Sequence, residues 1–390
     1  MKIVLLFDHL QNMHLLKDVG MVPYLLGKAM ACDIEISGYR NDVDYPYLKA
    51  PLPDLRVSFI GDRFVSRWTT YLWLWKNARE IDVLMLFHIC TPSIYQGLLY
   101  KLRNPSGYLY LKADIASEQV GYAAIVRKSN LLSGFKRWLL AKALMKKIDL
   151  ISVECSRTFQ NVRSIPKEKL IHIPNGFWGG LADYYSVARR PFTAKENRIL
   201  LVARHGTHEK NSELMLDALR LMPFSSLAGW EIFFVGTATE AFRQEFSHFQ
   251  VDRADLEKQV RLVGELTDKK ELLELYAGSK LLVLPSRKDS FPLVCCEALY
   301  FGNALIMTRE LTSSVDLTDS ERAGLTFHNE NARDLADKLM ASISDSATLK
   351  KMCEHACEYA GQYLVWETIV ARLAARIRGD FERRGKGAEA

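Results

Sequence analysis

The 390-residue sequence contains no run of about 18 uninterrupted apolar residues, so no transmembrane helix is expected. It has no Cys-x-x-Cys pair. Its seven cysteines (Cys32, Cys90, Cys155, Cys295, Cys296, Cys353 and Cys357) are odd in number and scattered, which favours a reducing compartment over a disulfide framework. No Gly-x-Gly-x-x-Gly follows a strand-like run, which removes the usual dinucleotide fingerprint. There is no solenoid repeat, and no low-complexity tract apart from the tail Arg383–Ala390. The opening MKIVLLFDHL meets Asp8 and His9 too soon for a secretory leader and reads as a first buried strand.

What is present is an ordinary globular composition, 48% hydrophobic and 25% charged, with a mild net charge of +6. Short apolar runs alternate with helical stretches. Lys2–Phe7, Ile34–Ser37, Val83–Phe87, Tyr108–Leu111 and Leu150–Val153 read as strands in the first half. In the second half the runs are Ile199–Val202, Glu231–Val235, Val260–Leu262, Lys280–Leu284 and Ala304–Met307. Strands separated by helices of about ten or more residues make βαβ units and parallel sheets. The polar segment Gly179–Asn197 reads as a linker. The expected fold class is therefore α/β, with two doubly wound Rossmann-like domains facing a central cleft. The expected divisions are 1–178, the linker 179–197, 198–365, a helix 366–384 crossing back to the first domain, and a tail 385–390. Ligands of such sheets bind beyond the C-terminal strand ends.

Two loops in the second half carry chemistry. After Ile199–Val202 comes Ala203-Arg204-His205-Gly206-Thr207-His208-Glu209-Lys210-Asn211 and then a helix. Arg204 and Lys210 near a helix start suit a diphosphate, since charge-assisted bonds and the helix dipole add; a solvated basic loop is the plain alternative. The run Leu281–Leu284 is followed by Pro285-Ser286-Arg287-Lys288-Asp289-Ser290, and a helix is expected from near Pro292. Backbone N–H groups over Phe291, Pro292, Leu293 and Val294 could then hold phosphate oxygens. Asp289 and Glu297, eight apart across this junction, could face one ligand, or serve only as a cap and a surface charge.

Together these loops resemble the family 4 retaining glycosyltransferases of the GT-B fold. That family has an arginine–lysine loop after the first strand of its second domain and later an E-x7-E motif leading to a small helix and glycine. The matching residues are Arg204 and Lys210, then Asp289-x7-Glu297 with Ala298 and Gly302. Between them Val260–Leu266, Glu271–Tyr276 and Leu281–Ser286 keep the family's order, and the resemblance is strongest over Ile173–Asn303. It implies that Arg204 and Lys210 neutralise a leaving nucleoside diphosphate, Glu297 holds the ribose hydroxyls and Asp289 a sugar hydroxyl. Two departures bear on the donor: Asp289 stands where glutamate is usual, and Ser290 where glycine is usual. The aspartate reaches one CH2 less, and the serine adds a Cβ near the phosphates. No Asp-x-Asp stands at the end of an expected strand, so no metal and no cofactor are expected. Cys353-Glu354-His355-Ala356-Cys357 reads as packed thiols, because His355 points away from the Cys353/Cys357 face.

In the first half, the resemblance places Gly20 in a loop that closes over the diphosphate. His88 and Asp114 follow strand ends where the family presents groups near sugar and acceptor, with Lys112-Ala113-Asp114 in place of a His-Asp pair. The positive charge is concentrated here. Gly121–Ile148 contains Arg127, Lys128, Lys136, Arg137, Lys142, Lys146 and Lys147 with no acid, and Phe135, Trp138, Leu139, Ala141, Leu144, Met145 and Ile148 keep a helical period. Arg63–Arg79 is also acid-free, with Phe64, Trp68, Tyr71, Leu72 and Trp75 on one helical face and Trp73 opposite. Such surfaces suit anionic lipid headgroups, and core faces with solvated lysines are the alternative.

The expectation is a retaining transferase moving a sugar from a nucleoside-diphosphate donor to a glycan or lipid-linked acceptor of envelope polysaccharide, lipopolysaccharide or capsule. It is expected in the cytoplasm, with anionic membrane as a possible partner and no nucleic acid. A nucleotide-sugar epimerase of similar fold and a non-catalytic nucleotide-sugar or membrane-binding protein are the alternatives.

Overall fold

The computed structural model describes residues 1–64, 66–114 and 131–388, with side chains for all of these except 131–137 and 386–388. Arg127 and Lys128 lie outside the described residues, as do the side chains of Phe135, Lys136 and Arg137. The chain forms two compact units, Met1–Asn175 with Trp366–Ala390, and Gly176–Val365.

The first unit is built on seven parallel strands: β1 (Lys2–Leu10), β2 (Asp33–Arg40), β3 (Arg56–Gly61), β4 (Val83–Phe87), β5 (Tyr108–Ala113), β6 (Leu150–Val153) and β7 (Leu170–His172). Their spatial order is β3-β2-β1-β4-β5-β6-β7. The chain winds from β1 toward one edge and then from β4 toward the other, so the direction reverses between β1 and β4. The helices are α1 (Asp18–Met30), α2 (Arg67–Asn77), α3 (Thr91–Arg103) and α4 (Leu131–Lys147). Leu74, Ile94, Tyr100, Ala141 and Leu144 from α2, α3 and α4 pack on Val4, Leu6, Leu84, Leu86, Leu109 and Leu111, one face of the sheet.

The second unit has six parallel strands: β8 (Arg198–Val202), β9 (Glu231–Val235), β10 (Val260–Gly264), β11 (Leu281–Leu284), β12 (Ala304–Thr308) and β13 (Gly324–Phe327). Their order is β10-β9-β8-β11-β12-β13, and the winding reverses between β8 and β11. Helices α5 (Glu213–Arg220), α6 (Glu240–Asp252), α7 (Lys269–Gly278), α8 (Leu293–Tyr300), α9 (Ala332–Ser344) and α10 (Ser346–Tyr363) complete it. Residues 179–197, expected as a linker, are part of this unit and include a short helix, Gly179–Tyr184. The last helix, α11 (Trp366–Ala388), belongs to the first unit and packs on α1, with Trp366, Ile369, Val370, Leu373 and Ile377 buried.

All ten expected strands are present. The three that the sequence reading missed, β3, β7 and β13, each end a sheet. An edge strand keeps one flank open and needs less continuous apolar sequence: β3 has no fully buried residue, and β7 is three residues long. β2 runs on to Arg40, so Asp42-Val43-Asp44 follows a strand end after all. Its carboxylates serve the chain. Asp42 accepts from the Asn12 backbone N–H at 2.6 Å, and Asp44 accepts from the Tyr45 N–H at 2.8 Å. Among the described residues no helix is long and apolar enough to cross a membrane, and none of the seven cysteines forms a disulfide.

Candidate functional site

In a doubly wound sheet the loops beyond the strand ends diverge where the winding reverses, which leaves a crevice there. In the second unit that point lies between β8 and β11. The loops expected to carry chemistry follow these two strands. Sequence separation hides this, and topology brings them together.

The loop after β8 is held from below by His205. Its ring is fully buried, with Nδ1 2.9 Å from Ser212 Oγ and Nε2 3.2 Å from the Val235 carbonyl oxygen, and it stacks on Phe242. Burial lowers its pKa to about 4, so it stays neutral. With His205 turned inward, the adjacent Arg204 is exposed, and its guanidinium has no ion-pair partner among the described residues. A tight turn from Thr207 to Asn211, closed by Asn211 in the left-handed region (φ 50°), redirects Lys210. Lys210 Nζ then donates to both Asp289 oxygens, at 2.9 and 2.8 Å. The Arg287 N–H donates to the Glu209 carbonyl at 2.8 Å, and the Arg287 guanidinium to that of His208 at 2.8 Å, so the two loops are joined along their length. Two buried polar atoms in these segments, Ser286 Oγ and Asn211 Nδ2, have no protein partner.

Helix α8 starts where proline places it, with Pro292 as its N-cap. It ends in a left-handed Gly302 (φ 73°), whose N–H donates to the Leu299 carbonyl while the Asn303 N–H reaches back to Ala298. That pattern is a Schellman stop, which explains the glycine of the motif. Proline has no N–H, so of the four residues expected to offer donors only Phe291, Leu293 and Val294 can. Ser290 immediately precedes Phe291. Glu297, one turn into α8, is nearly buried and accepts from Lys269 Nζ at 2.6 Å. Lys269 is fixed by the start of α7, where Asp268 caps the helix by accepting from the Lys270 N–H at 2.8 Å. The fully buried Tyr276 also lies beside Glu297, and burial together with that carboxylate holds its phenol well above the ordinary value. Lys269 was missed by the sequence reading. Its only signal is a lysine just inside a capped helix, common on any surface.

Asp289 and Glu297 thus do not share a partner: each is tied to its own lysine, on a different element.

In the first unit the reversal lies between β1 and β4. His88 follows β4 with φ 61°, a conformation that costs a non-glycine residue energy and is held here by its N–H on the Lys112 carbonyl at 2.9 Å. Its Nδ1 stands 3.8 Å from Asp114 Oδ2, so the two expected residues are neighbours. Beneath them Lys112 is fully buried. It donates to Glu154, to Asp18 Oδ2 at 3.0 Å and to Asn175 Oδ1 at 3.1 Å. Burial, and the negative charges of Asp114 and Asp18, push the Glu154 carboxyl up to about 8 despite its lysine. Lys112 is thus a structural cation, whose partners Asp18 and Glu154 no spacing rule points to. Asp8, at an irregularity between β1 and β2, accepts from Thr70 Oγ1 at 3.1 Å, and burial raises its pKa.

Gly20 is placed differently from expectation. It sits inside the first turn of α1, not in a loop before it, and its N–H donates to the Lys17 carbonyl at 3.1 Å. A Cβ there would come within 2.0 Å of the Leu15 carbonyl oxygen, which accounts for the glycine through packing.

The Cys353/His355/Cys357 group diverges. Cys353 donates to the Lys280 carbonyl at 3.2 Å, Cys357 points at the Tyr300 carbonyl, and His355 bonds Asp319 at 2.7 Å.

Comparison with known proteins places this geometry. Residues 187–361, most of the second unit, match the model of the glycosyl transferases group 1 family. An N,N'-diacetylbacillosaminyl-diphospho-undecaprenol alpha-1,3-N-acetylgalactosaminyltransferase of Campylobacter jejuni is 27% identical over 115 residues, 30% of this chain and 30% of that protein. The chain thus matches less than a third of the length of its curated relatives. Among solved structures, Anabaena Alr3699/HepE in complex with UDP aligns over 97% of this chain and 100% of its own, with a TM-score of 0.72 and 14% identity. A candidate UDP-N-acetylglucosamine 2-epimerase of Listeria monocytogenes aligns over 98% and 97%, with a TM-score of 0.63 and 15% identity. These likenesses show the fold, two Rossmann-like parallel-sheet domains as in GT-B glycosyltransferases. Since both an epimerase and a UDP complex share it, the fold leaves the reaction open.

Proposed function

We propose that the protein is a retaining glycosyltransferase that moves a sugar from a nucleoside-diphosphate donor to a glycan or lipid-linked acceptor. The single observation that carries this is the Lys210–Asp289 pair at the β8/β11 reversal, on the same loop as the exposed Arg204 and inside the segment that matches the glycosyl transferases group 1 model.

Transfer breaks the bond between the anomeric carbon and the diphosphate oxygen, and the electron pair leaves with the diphosphate. The acceptor oxygen forms the new bond, and its proton passes to the departing group. Charge therefore grows on the diphosphate as the sugar becomes oxocarbenium-like, and cations already in place lower that barrier. Lys210, with two N–H groups spent on Asp289, has a third to offer, and the exposed Arg204 offers its guanidinium fork. The N–H groups at the start of α8 add to them, and this reading calls for no metal ion. Glu297, held in place by Lys269, would take the ribose hydroxyls, Asp289 a sugar hydroxyl, and His88 with Asp114 would face sugar and acceptor.

The name of the Campylobacter relative specifies a diphospho-undecaprenol-linked substrate. That supports placing this reaction in envelope polysaccharide, lipopolysaccharide or capsule synthesis, at the cytoplasmic face of the membrane. The test is release of nucleoside diphosphate from a panel of nucleotide sugars by the full chain. Arg204→Ala and Glu297→Ala should each lower kcat/KM by about 100-fold. Full activity in both variants would refute the site. A donor that binds but is never turned over would refute the enzyme, and release of an isomerised sugar would mean an epimerase.

A further inference from the structure

Helices α2, α3 and α4 form one layer over a face of the first sheet, with their inner residues committed to its core. Their outer surface is unusual. Trp68 is 75% exposed, Leu72 60% and Trp75 42%, at spacings that align them on α2, and Leu102 on α3 is 68% exposed. Tyr95 and Leu139 are exposed as well. The aromatic part is continuous from α2 to α3: Trp68 meets Tyr71 at 6.1 Å, Tyr71 meets Tyr95 at 6.3 Å, and the Arg103 guanidinium lies 4.2 Å over Trp75. The buried side of α2 is Thr70 and Leu74, with Trp73 against the core. The aromatic face that the sequence could have spent on the core thus lies outside, and the indole opposite it lies within.

The second observation is charge. None of the three helices contains an aspartate or glutamate, whereas Arg67, Lys76, Arg103, Lys142, Lys146 and Lys147 stand on them at the surface. Helix α11 of the same unit carries Glu367, Asp380 and Glu382 among its cations, so this bias belongs to the layer and not to the unit. Isolated apolar residues on a surface need no explanation, but a row of indole and leucine on helices that carry surface cations and no acid does. Indole rings partition to the headgroup level of a bilayer, and cations beside them meet anionic lipid.

We propose that the outer surface of α2, α3 and α4, centred on Trp68, Leu72 and Trp75, docks on an anionic phospholipid bilayer. This deepens the membrane-side part of the function proposed above and needs nothing of the transfer chemistry. It is therefore tested without a donor, and the two ideas fail separately.

The experiment is co-sedimentation of the full chain with vesicles of phosphatidylcholine containing phosphatidylglycerol, against pure phosphatidylcholine vesicles, with tryptophan emission read in parallel. Binding should require phosphatidylglycerol, fall with salt and shift the emission to the blue. The variant Trp68→Ser/Leu72→Ser/Trp75→Ser, all at exposed positions, should bind about tenfold or more weakly with its thermal midpoint unchanged. Arg67→Glu/Lys76→Glu should weaken binding and flatten its salt dependence. Absence of binding at low salt, or wild-type binding by the serine variant, overturns the proposal. So does a wild-type dimer that the serine variant converts to monomer, because the face would then be covered by a second copy.

Discussion

Lys210 Nζ lies 2.9 and 2.8 Å from the two carboxylate oxygens of Asp289, 79 positions further along the chain. Both side chains are 18% exposed, so the pair is shielded enough to set geometry. The shorter aspartate, where the resembled motif has glutamate, is thereby already engaged.

If Lys210 meets the diphosphate and Asp289 holds it there, the two substitutions are coupled. Lys210→Met should lower kcat/KM by about 100-fold, and Asp289→Asn should cost less. The double variant should be no worse than Lys210→Met alone. A double-mutant cycle on kcat/KM reads this, and simple additivity would separate the two residues.

Lys269 acts through Glu297. Lys269→Met leaves that carboxylate nearly buried beside Tyr276 with no cation, so its hold on a ribose should suffer. The expected result is a donor KM raised by about tenfold with kcat nearly kept, restored by Lys269→Arg. Equal losses in kcat and kcat/KM would assign Lys269 to the reacting centre instead.

The Lys112 cluster governs stability. Lys112→Met leaves the buried Asp18 carboxylate without its cation and should cost about 3–5 kcal/mol in urea unfolding. Glu154→Gln should cost less, because burial already favours the neutral form of that carboxyl.

His205 makes stability depend on acid. Its pKa is about 4 when folded against an ordinary 6.5, so the unfolded chain takes up the proton first. The contribution of the neutral ring is complete above pH 6.5 and is lost as pH falls from 6.5 toward 4, by about 3 kcal/mol at most. Urea midpoints should converge across that window when His205→Gln is compared with the wild type. An equally steep decline in both would place the titration elsewhere.

The central strands were legible because two buried faces force continuous apolar runs, as in Val83–Phe87 and Glu231–Val235. The edge strands β3, β7 and β13 were not, since one open flank relaxes that demand. The motif residues Arg204, Lys210, Asp289 and Glu297 could be picked out, but their partners could not. Nothing in spacing ties Lys269 to Glu297, or Lys112 to Glu154 and Asp18. The resemblance puts Gly20 in a loop, but a glycine before a helical stretch looks the same whether it turns the chain or makes room for Leu15.

Local patterns alone determined that this chain would make two parallel α/β sheets and carry a cation pair and a carboxylate motif in the second. Periodicity and turn chemistry act over a few residues, and the sequence records them directly. Which charges neutralise one another, and whether the aromatic face of α2 turns inward or outward, was decided by the tertiary structure. An amphipathic helix has two usable faces, and only the sheet it packs on selects between Trp73 with Leu74 and the row Trp68, Leu72, Trp75.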